Sequence, residues 1–288
     1  AKMIKPDVGV ITNISYAHIK NFKNLKGIAI AKSELIDQIN KDGTIILNKD
    51  CNFFQFFKNK ALKKKLNIIT FGIKNKADFS VFSLSKKNKK KYLLTIKHKN
   101  NFYKFYIYKS LISYLENITA AIAVMSVYFK VDEINKNIFL NFNIPQGRGN
   151  ISQVKFNKNK INLVDESYNS NPLSLKFSIE NFDSINAKNK TKIAILGDML
   201  ELGNYSRKLH EQISKNLNKS NIDKVYVYGK YIKYTFDNLK KNKKGKIFKS
   251  VNEVKSFLSN DLRQGEFLMV KGSNSTGLNK ILREVKVN

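Results

Sequence analysis

Five short stretches of this 288-residue sequence carry side chains that could do chemistry. Thr12-Asn13-Ile14-Ser15-Tyr16-Ala17-His18 and Glu166-Ser167-Tyr168-Asn169-Ser170-Asn171-Pro172 each follow an apolar run that reads as a strand. So do Gly197-Asp198-Met199-Leu200-Glu201-Leu202-Gly203 and Lys271-Gly272-Ser273. The fifth, Ala31-Lys32-Ser33-Glu34, falls on the helix expected after the first of them. In open α/β sheets, ligands sit where strands end and helices begin. Asn169 and Asn171 offer both donors and acceptors, as recognition of a peptide terminus requires. Lys271 at a strand end could hold a substrate carboxylate or stabilise charge at a reacting carbonyl. Asp198 and Glu201 are spaced like a helix cap with its first-turn acid, which is as good a reading as a chemical one. A lone histidine such as His18 is ordinarily a structural hydrogen-bonder, and Lys32 by itself is one of many lysines.

The elements that must position these residues form two textures. From Val8 to about Phe71, apolar strands and helical stretches alternate: strand 8–14, helix 25–38, strand 44–48, helix 52–64, strand 67–71. Residues 78–109 then show short alternating runs broken by Lys and Asn, which predict antiparallel hairpins. A helix over 115–129 and a shorter one over 132–140 close this unit. Pro145-Gln146-Gly147-Arg148-Gly149 is the candidate linker, since Pro and Gly punctuate it. Beyond it, strands near 151–156, 161–165, 192–197, 224–228, 245–249 and 266–271 alternate with helices near 172–183, 205–219, 231–240, 251–262 and 277–286. The expected domains are 1–146 and 147–288, and the fold class is α/β.

Composition narrows the function. The single cysteine, Cys51, excludes an internal disulfide and agrees with a reducing compartment. No apolar run is long enough to span a membrane and no signal-peptide pattern opens the chain, so a cytoplasmic protein without membrane insertion is expected. The formal charge of +31 would ordinarily raise nucleic acid as a partner. Only Arg148, Arg207, Arg263 and Arg283 are arginine, however, and base reading favours the arginine fork. Lysines spread along the whole chain among abundant Asn and Ile read as a solvated surface, with no specific nucleic acid expected. The weaker alternative is long-range attraction of a polyanionic nucleotide substrate.

The paired segments around 166–172 and 197–203 resemble the C-terminal domain of the Mur ligases, which carry Ser-Tyr-Asn-Ala-Asn-Pro and Gly-Asp-Met-x-Glu-Leu-Gly in this order. The resemblance extends over the whole chain. It implies the second half of the family's central ATP-binding domain followed by a Rossmann-like C-terminal domain. His18 and Lys32 match the family's Thr-Asn-x-x-x-Ala-His and Ala-Lys-x-Glu segments, whose His ligates Mg²⁺ and whose Lys is carbamylated. A carbamate would turn a repelling ammonium into the anionic oxygen donor that Mg²⁺ favours. These two are the implied catalytic and metal residues.

By the same resemblance, Asn13, Asn117, Arg148, Asp165 and Glu166 are implied contacts to ATP, and Asn169, Asn171 and Lys271 contacts to substrate. The sequence departs from the family at Leu111 and Ser113, where a Gly and a His are usual, and Glu166 replaces an Asp. Asn48 and Asp50 match an Asn-x-Asp segment but are equally ordinary turn residues. The implied activity is ATP-dependent addition of D-alanyl-D-alanine to UDP-N-acetylmuramoyl-tripeptide through an acyl phosphate, by a monomer. Alternatives are the family's third-residue ligase, whose Asp-Asn-Pro-Arg is absent, and an inactive basic binding protein. The first Met is Met3, and Gly-x-x-x-x-Gly-Lys-Ser/Thr occurs nowhere. The sequence is therefore expected to be the later part of a longer polypeptide, inactive alone.

Overall fold

The structure, a computed structural model, describes residues 5–17 and 19–285. The described residues divide into two compact units: 5–14 with 22–143, and 15–17 and 19–21 with 144–285.

The first unit contains β1 (Val8–Ile11), α1 (Leu25–Gln38), β2 (Thr44–Asn48), α2 (Phe54–Lys63), β3 (Asn67–Gly72), β4 (Phe79–Lys86), β5 (Lys91–His98), β6 (Asn101–Tyr108) and α3 (Leu115–Met125). Its sheet runs β1-β2-β3-β4-β5-β6, parallel as far as β4 and antiparallel beyond. Ile45, Ile46 and Leu47 of β2 are buried on both faces of the sheet, which is why that strand reads as an unbroken apolar run. The Asn24 side chain starts α1 by accepting from Gly27 N–H (3.1 Å), and Ile28, Ala29 and Ile36 turn inward from that helix.

Strand β1 is shorter than the expected 8–14. The Thr12 and Asn13 carbonyls leave the ladder to accept from the side chains of Asn48 and Lys32. The expected helix over 132–140 is replaced by two short 3₁₀ turns, Val131–Glu133 and Ile138–Asn141. Between them the Lys136 carbonyl accepts the Tyr106 N–H at the edge of β6 (2.8 Å), so pairing with the sheet outcompetes a local helix.

The second unit contains β7 (Asn150–Phe156), β8 (Asn159–Glu166), α4 (Pro172–Asp183), β9 (Lys192–Gly197), α5 (Ser206–Lys219), β10 (Lys224–Tyr228), α6 (Lys233–Asp237), β11 (Lys244–Phe248), α7 (Val251–Asn260), β12 (Phe267–Lys271) and α8 (Leu278–Val285). The sheet order is β11-β10-β9-β12-β8-β7, with only β7 antiparallel. Strand β12 inserts between β8 and β9, so the loops leaving these three parallel strands gather at one end of the sheet. All of β9 is buried, and helices α7 and α8 cover the cluster that includes Ile195, Phe248, Leu268 and Leu282. Helix α6 is five residues long where ten were expected. Asp198 draws the N–H groups of Lys230, Tyr231 and Ile232 into a turn ahead of it, and Asn218 ties down Asn238 and Lys240 behind it.

Candidate functional site

In the first unit, polar groups converge where β1, β2 and β3 end. Asn48, almost fully buried, donates through Nδ2 to the Thr12 carbonyl (2.8 Å) and to the Glu116 carboxylate, while its Oδ1 accepts from Asp50 N–H (2.8 Å). Asp50 in turn accepts from the backbone of Ile73, Lys74 and Asn75 at 2.6–2.9 Å and from Asn75 Nδ2. Burial alone would raise the Asp50 carboxyl, but those N–H donors together outweigh it and hold it below the usual value. Glu116 goes the other way. Burial pushes its carboxyl up and the Asp50 charge adds to the rise, against the Asn48 hydrogen bond and the Lys74 charge. Asn48 and Asp50 are thus structural joints between strand ends, and Glu116, which the sequence reading passed over, belongs to the same network.

Lys32 is exposed, and its ammonium donates to the Asn13 carbonyl (2.9 Å), so the structure brings these two candidates together. Asn117 is exposed in the first turn of α3. His18 lies outside the described residues. Among the described residues no group of three or more His, Cys, Asp or Glu converges as a metal site.

In the second unit, the ends of β8, β9 and β12 place the remaining candidates together. Asp165 is buried, and its Oδ1 accepts from both the N–H and the hydroxyl of Ser167 (3.1 and 2.6 Å). Glu166 faces Lys271 from the paired position on the neighbouring strand. The Lys271 ammonium donates to Glu166 Oε2 (3.3 Å) and to the Asn169 carbonyl (3.0 Å). Burial pushes this ammonium below the ordinary lysine range; Glu166 opposes the shift and the Arg148 charge adds to it. Arg148 lies over the Tyr168 ring, 4.2 Å from its centre. The turn beneath requires Gly147, whose φ is +75° and whose missing Cβ would fall 2.9 Å from Tyr168 N and Cβ.

Asn171 heads α4 in a reciprocal cap: its Oδ1 accepts from Ser174 N–H (2.9 Å), and its own N–H donates to the Ser174 hydroxyl (3.0 Å). Asn169 Oδ1 accepts from Ser170 N–H (2.8 Å). These loops, with residues 200–201 and 273–275, line a cavity of about 190 Å³. The Ser170 hydroxyl is buried and has no hydrogen-bond partner among the described residues. The volume falls below the roughly 300–1,000 Å³ of pockets for drug-sized ligands, so it suits something smaller.

Asp198 does not cap the helix that follows it. Its carboxylate closes the loop after β10, and Glu201 sits at φ +61°, ahead of α5. His210 supports the same segment from inside. Met199 N–H donates to Nε2 (3.0 Å) and Nδ1 faces the Ser206 carbonyl (2.7 Å), which fixes a neutral ring with its proton on Nδ1. Sequence reasoning missed His210, although its place four residues into an amphipathic helix marks it as inward-facing.

Residues 1–125 match the Mur ligase middle domain, and residues 150–274 match the Mur ligase, glutamate ligase domain. The chain belongs to the Mur ligase family. The UDP-N-acetylmuramoyl-tripeptide–D-alanyl-D-alanine ligase of Rickettsia prowazekii is 30% identical over 284 residues, covering 98% of this Mur ligase chain and 61% of its own length. Among solved structures, a MurF from Acinetobacter baumannii aligns with a TM-score of 0.84 at 22% identity, covering 99% of this chain and 60% of its own. MurF ligase from Thermotoga maritima, solved in complex with ADP, aligns with a TM-score of 0.81 at 21% identity, covering 98% and 62%. The Mur ligase chain thus spans about three fifths of the length of the relatives it matches.

Proposed function

We propose that this chain forms the ATP-handling and acceptor-handling parts of a ligase that joins D-alanyl-D-alanine to UDP-N-acetylmuramoyl-tripeptide. What carries the reading is likeness to ligases of that name through both units, with an acid pair, two amides and a buried lysine gathered at the strand ends of the second. The peptide carboxylate takes the γ-phosphoryl group of ATP, giving an acyl phosphate and ADP. The dipeptide amine then adds to the acyl carbon, and phosphate leaves as the amide forms. Most of the barrier in such a sequence is met by positioning and charge neutralisation.

Asn13 and Asn117 contact the nucleotide. Arg148, its guanidinium steadied on Tyr168, makes charge-assisted bonds to phosphate. Asp165 or Glu166 accepts from the ribose hydroxyls. Asn169, Asn171 and Lys271 face the acceptor. Mg²⁺, held by His18 and Lys32, would neutralise phosphate charge. Lys32 suits that role only as a carbamate: as an ammonium donating to the Asn13 carbonyl it repels a cation, whereas addition of its free amine to CO₂, with loss of a proton, leaves an anionic oxygen donor. The same reading has the protein cytoplasmic and monomeric; its one cysteine, Cys51, is in keeping with a reducing compartment.

The test is ATP-dependent joining of labelled D-alanyl-D-alanine to UDP-N-acetylmuramoyl-tripeptide. The purified chain alone is expected to be inactive, and to become active when a segment bearing the phosphate loop is supplied. Incorporation of a diamino acid into the shorter UDP-linked dipeptide instead would overturn the assignment in favour of the third-residue ligase.

A further inference from the structure

The lysines of this chain are not spread evenly. Residues 79–109 hold nine lysines and no aspartate or glutamate, so nine of the 31 net positive charges fall in 31 of 288 residues. This stretch is the β4-β5-β6 meander, and β4 pairs with β3 only at Phe79 and Ser80, so most of the meander projects past the parallel part of the sheet.

One face of it carries exposed aromatic rings among the lysines. Phe82 is 62% and Phe102 48% exposed, and their rings meet edge to face with centres 4.6 Å apart. Lys97, opposite Phe102 in the register, places its ammonium 5.8 Å from that ring's centre, which puts it on the same face. Lys104, two residues along β6 from Phe102, is exposed on that face by strand alternation. At the β4–β5 turn, Lys86, Lys87, Lys89 and Lys90 are all exposed.

We propose that this face binds single-stranded nucleic acid without sequence preference, bases stacking on Phe82 and Phe102 and phosphates neutralised by the surrounding lysines. Ring platforms set in a basic sheet are how such strands are held. The scarcity of arginine is consistent with the missing sequence preference, since phosphate neutralisation needs only point charge. An anionic membrane fits less well. Both hairpin tips, 87–90 and 99–100, consist only of Lys and Asn, so no apolar group protrudes to enter the lipid, and the rings lie within the sheet face.

The test is fluorescence anisotropy of a labelled 12-residue oligo-uridine titrated with the chain at several salt concentrations. Binding is expected with Kd in the range of about 10⁻⁶ to 10⁻⁴ M at moderate salt. Phe82→Ser/Phe102→Ser should weaken it by about tenfold or more, and Phe82→Tyr/Phe102→Tyr should restore most of it. Lys89→Gln/Lys97→Gln/Lys104→Gln should reduce the salt slope by about 2, three phosphate contacts at roughly 0.7 each. Removing three exposed lysines elsewhere, at Lys63, Lys208 and Lys215, should change it little. Equal losses from the two lysine triples, or wild-type affinity in the double serine variant with its circular dichroism intact, would overturn the proposal. So would tighter binding to phosphatidylserine vesicles than to the oligonucleotide.

Discussion

Lys271 and Glu166 occupy paired positions on β12 and β8, and the lysine ammonium reaches the carboxylate across 3.3 Å with its side chain only 3% exposed. Both groups are therefore parts of the sheet end before they are parts of any ligand site. Removing one partner of a buried pair strands the other, at a cost of about 3–5 kcal/mol. Glu166 keeps 16% of its side-chain exposure, which puts the expectation for Lys271→Met at the low end, about 3 kcal/mol. Adding Glu166→Gln should recover at least half of that loss. Urea denaturation of the parent and the two variants decides it: a single-variant loss below about 1 kcal/mol would mean that the lysine is not committed to Glu166 and is free for substrate.

Asn171 is a second residue with two duties. Because its Oδ1 caps α4, Asn171→Ala should lose about 1 kcal/mol of stability, whatever it does to ligand binding. Asn171→Ser keeps a capping oxygen but removes the amide donor. It should hold the melting temperature while raising the dipeptide KM of the active ligase and leaving ATP binding unchanged. A wild-type KM in the serine variant would reduce Asn171 to a cap alone.

The stretches that were easiest to read are those whose environment leaves one choice. Residues 44–48 and 192–197 lie between parallel neighbours, so their central positions, 45–47 and 193–196, are all apolar and the strand is plain from the sequence. The errors fall where a distant group overrides the local pattern. Residues 132–140 have helical spacing, but the Lys136 carbonyl is claimed by Tyr106 on β6. Residues 231–240 do too, but Asn218, about twenty positions away, takes the Lys240 N–H and the Asn238 carbonyl that would continue the helix. The site divides in the same way. Side-chain types at strand ends pick out Asn169, Asn171 and Lys271 as candidates; the partners of the two asparagines, Ser170 and Ser174, lie close by in sequence, whereas the Glu166 partner of Lys271 depends on the folded sheet. Spacing made Asp198 a cap for its own helix. It caps a neighbouring loop instead, where Gly229, at φ +143°, leaves room for the carboxylate against which a Cβ would collide.

Acid should loosen the second unit through His210. Its ring is fully buried and neutral, accepting from Met199 and donating to Ser206, and burial is the main cause that lowers its pKa below the usual 6.5. The carbonyl of Ser206 and the charge of Asp198 oppose that shift without reversing it. In the window below 6.5 the unfolded chain binds more protons than the folded one, so this contribution is complete above pH 6.5 and is lost as pH falls through the folded value. Between pH 6.5 and 5.5 the loss can reach about 1 kcal/mol, since the unfolded ring is half protonated at the upper limit and nearly fully at the lower. His210→Gln, able to accept and donate at the same two points, should be flatter over that interval in urea midpoints. An equally steep variant would assign the acid sensitivity to other groups.

Lys32 gives the sharpest test of the reaction chemistry. Its ammonium is exposed and bonded only to the Asn13 carbonyl among the hydrogen bonds of the described residues, so Lys32→Ala should leave the unfolding free energy within about 0.5 kcal/mol of the parent, as for surface substitutions generally. Turnover of the active ligase should nevertheless fall by about 10–100-fold or more, the scale on which disturbing even the supporting shell of a metal site acts. Lys32→Arg should do no better, since a guanidinium stays charged and cannot add to CO₂. Incubation with ¹³C-bicarbonate should give a carbamate carbon resonance in the parent and none in either variant. Full turnover in Lys32→Ala, or a carbamate signal that survives the substitution, would remove Lys32 from the metal site.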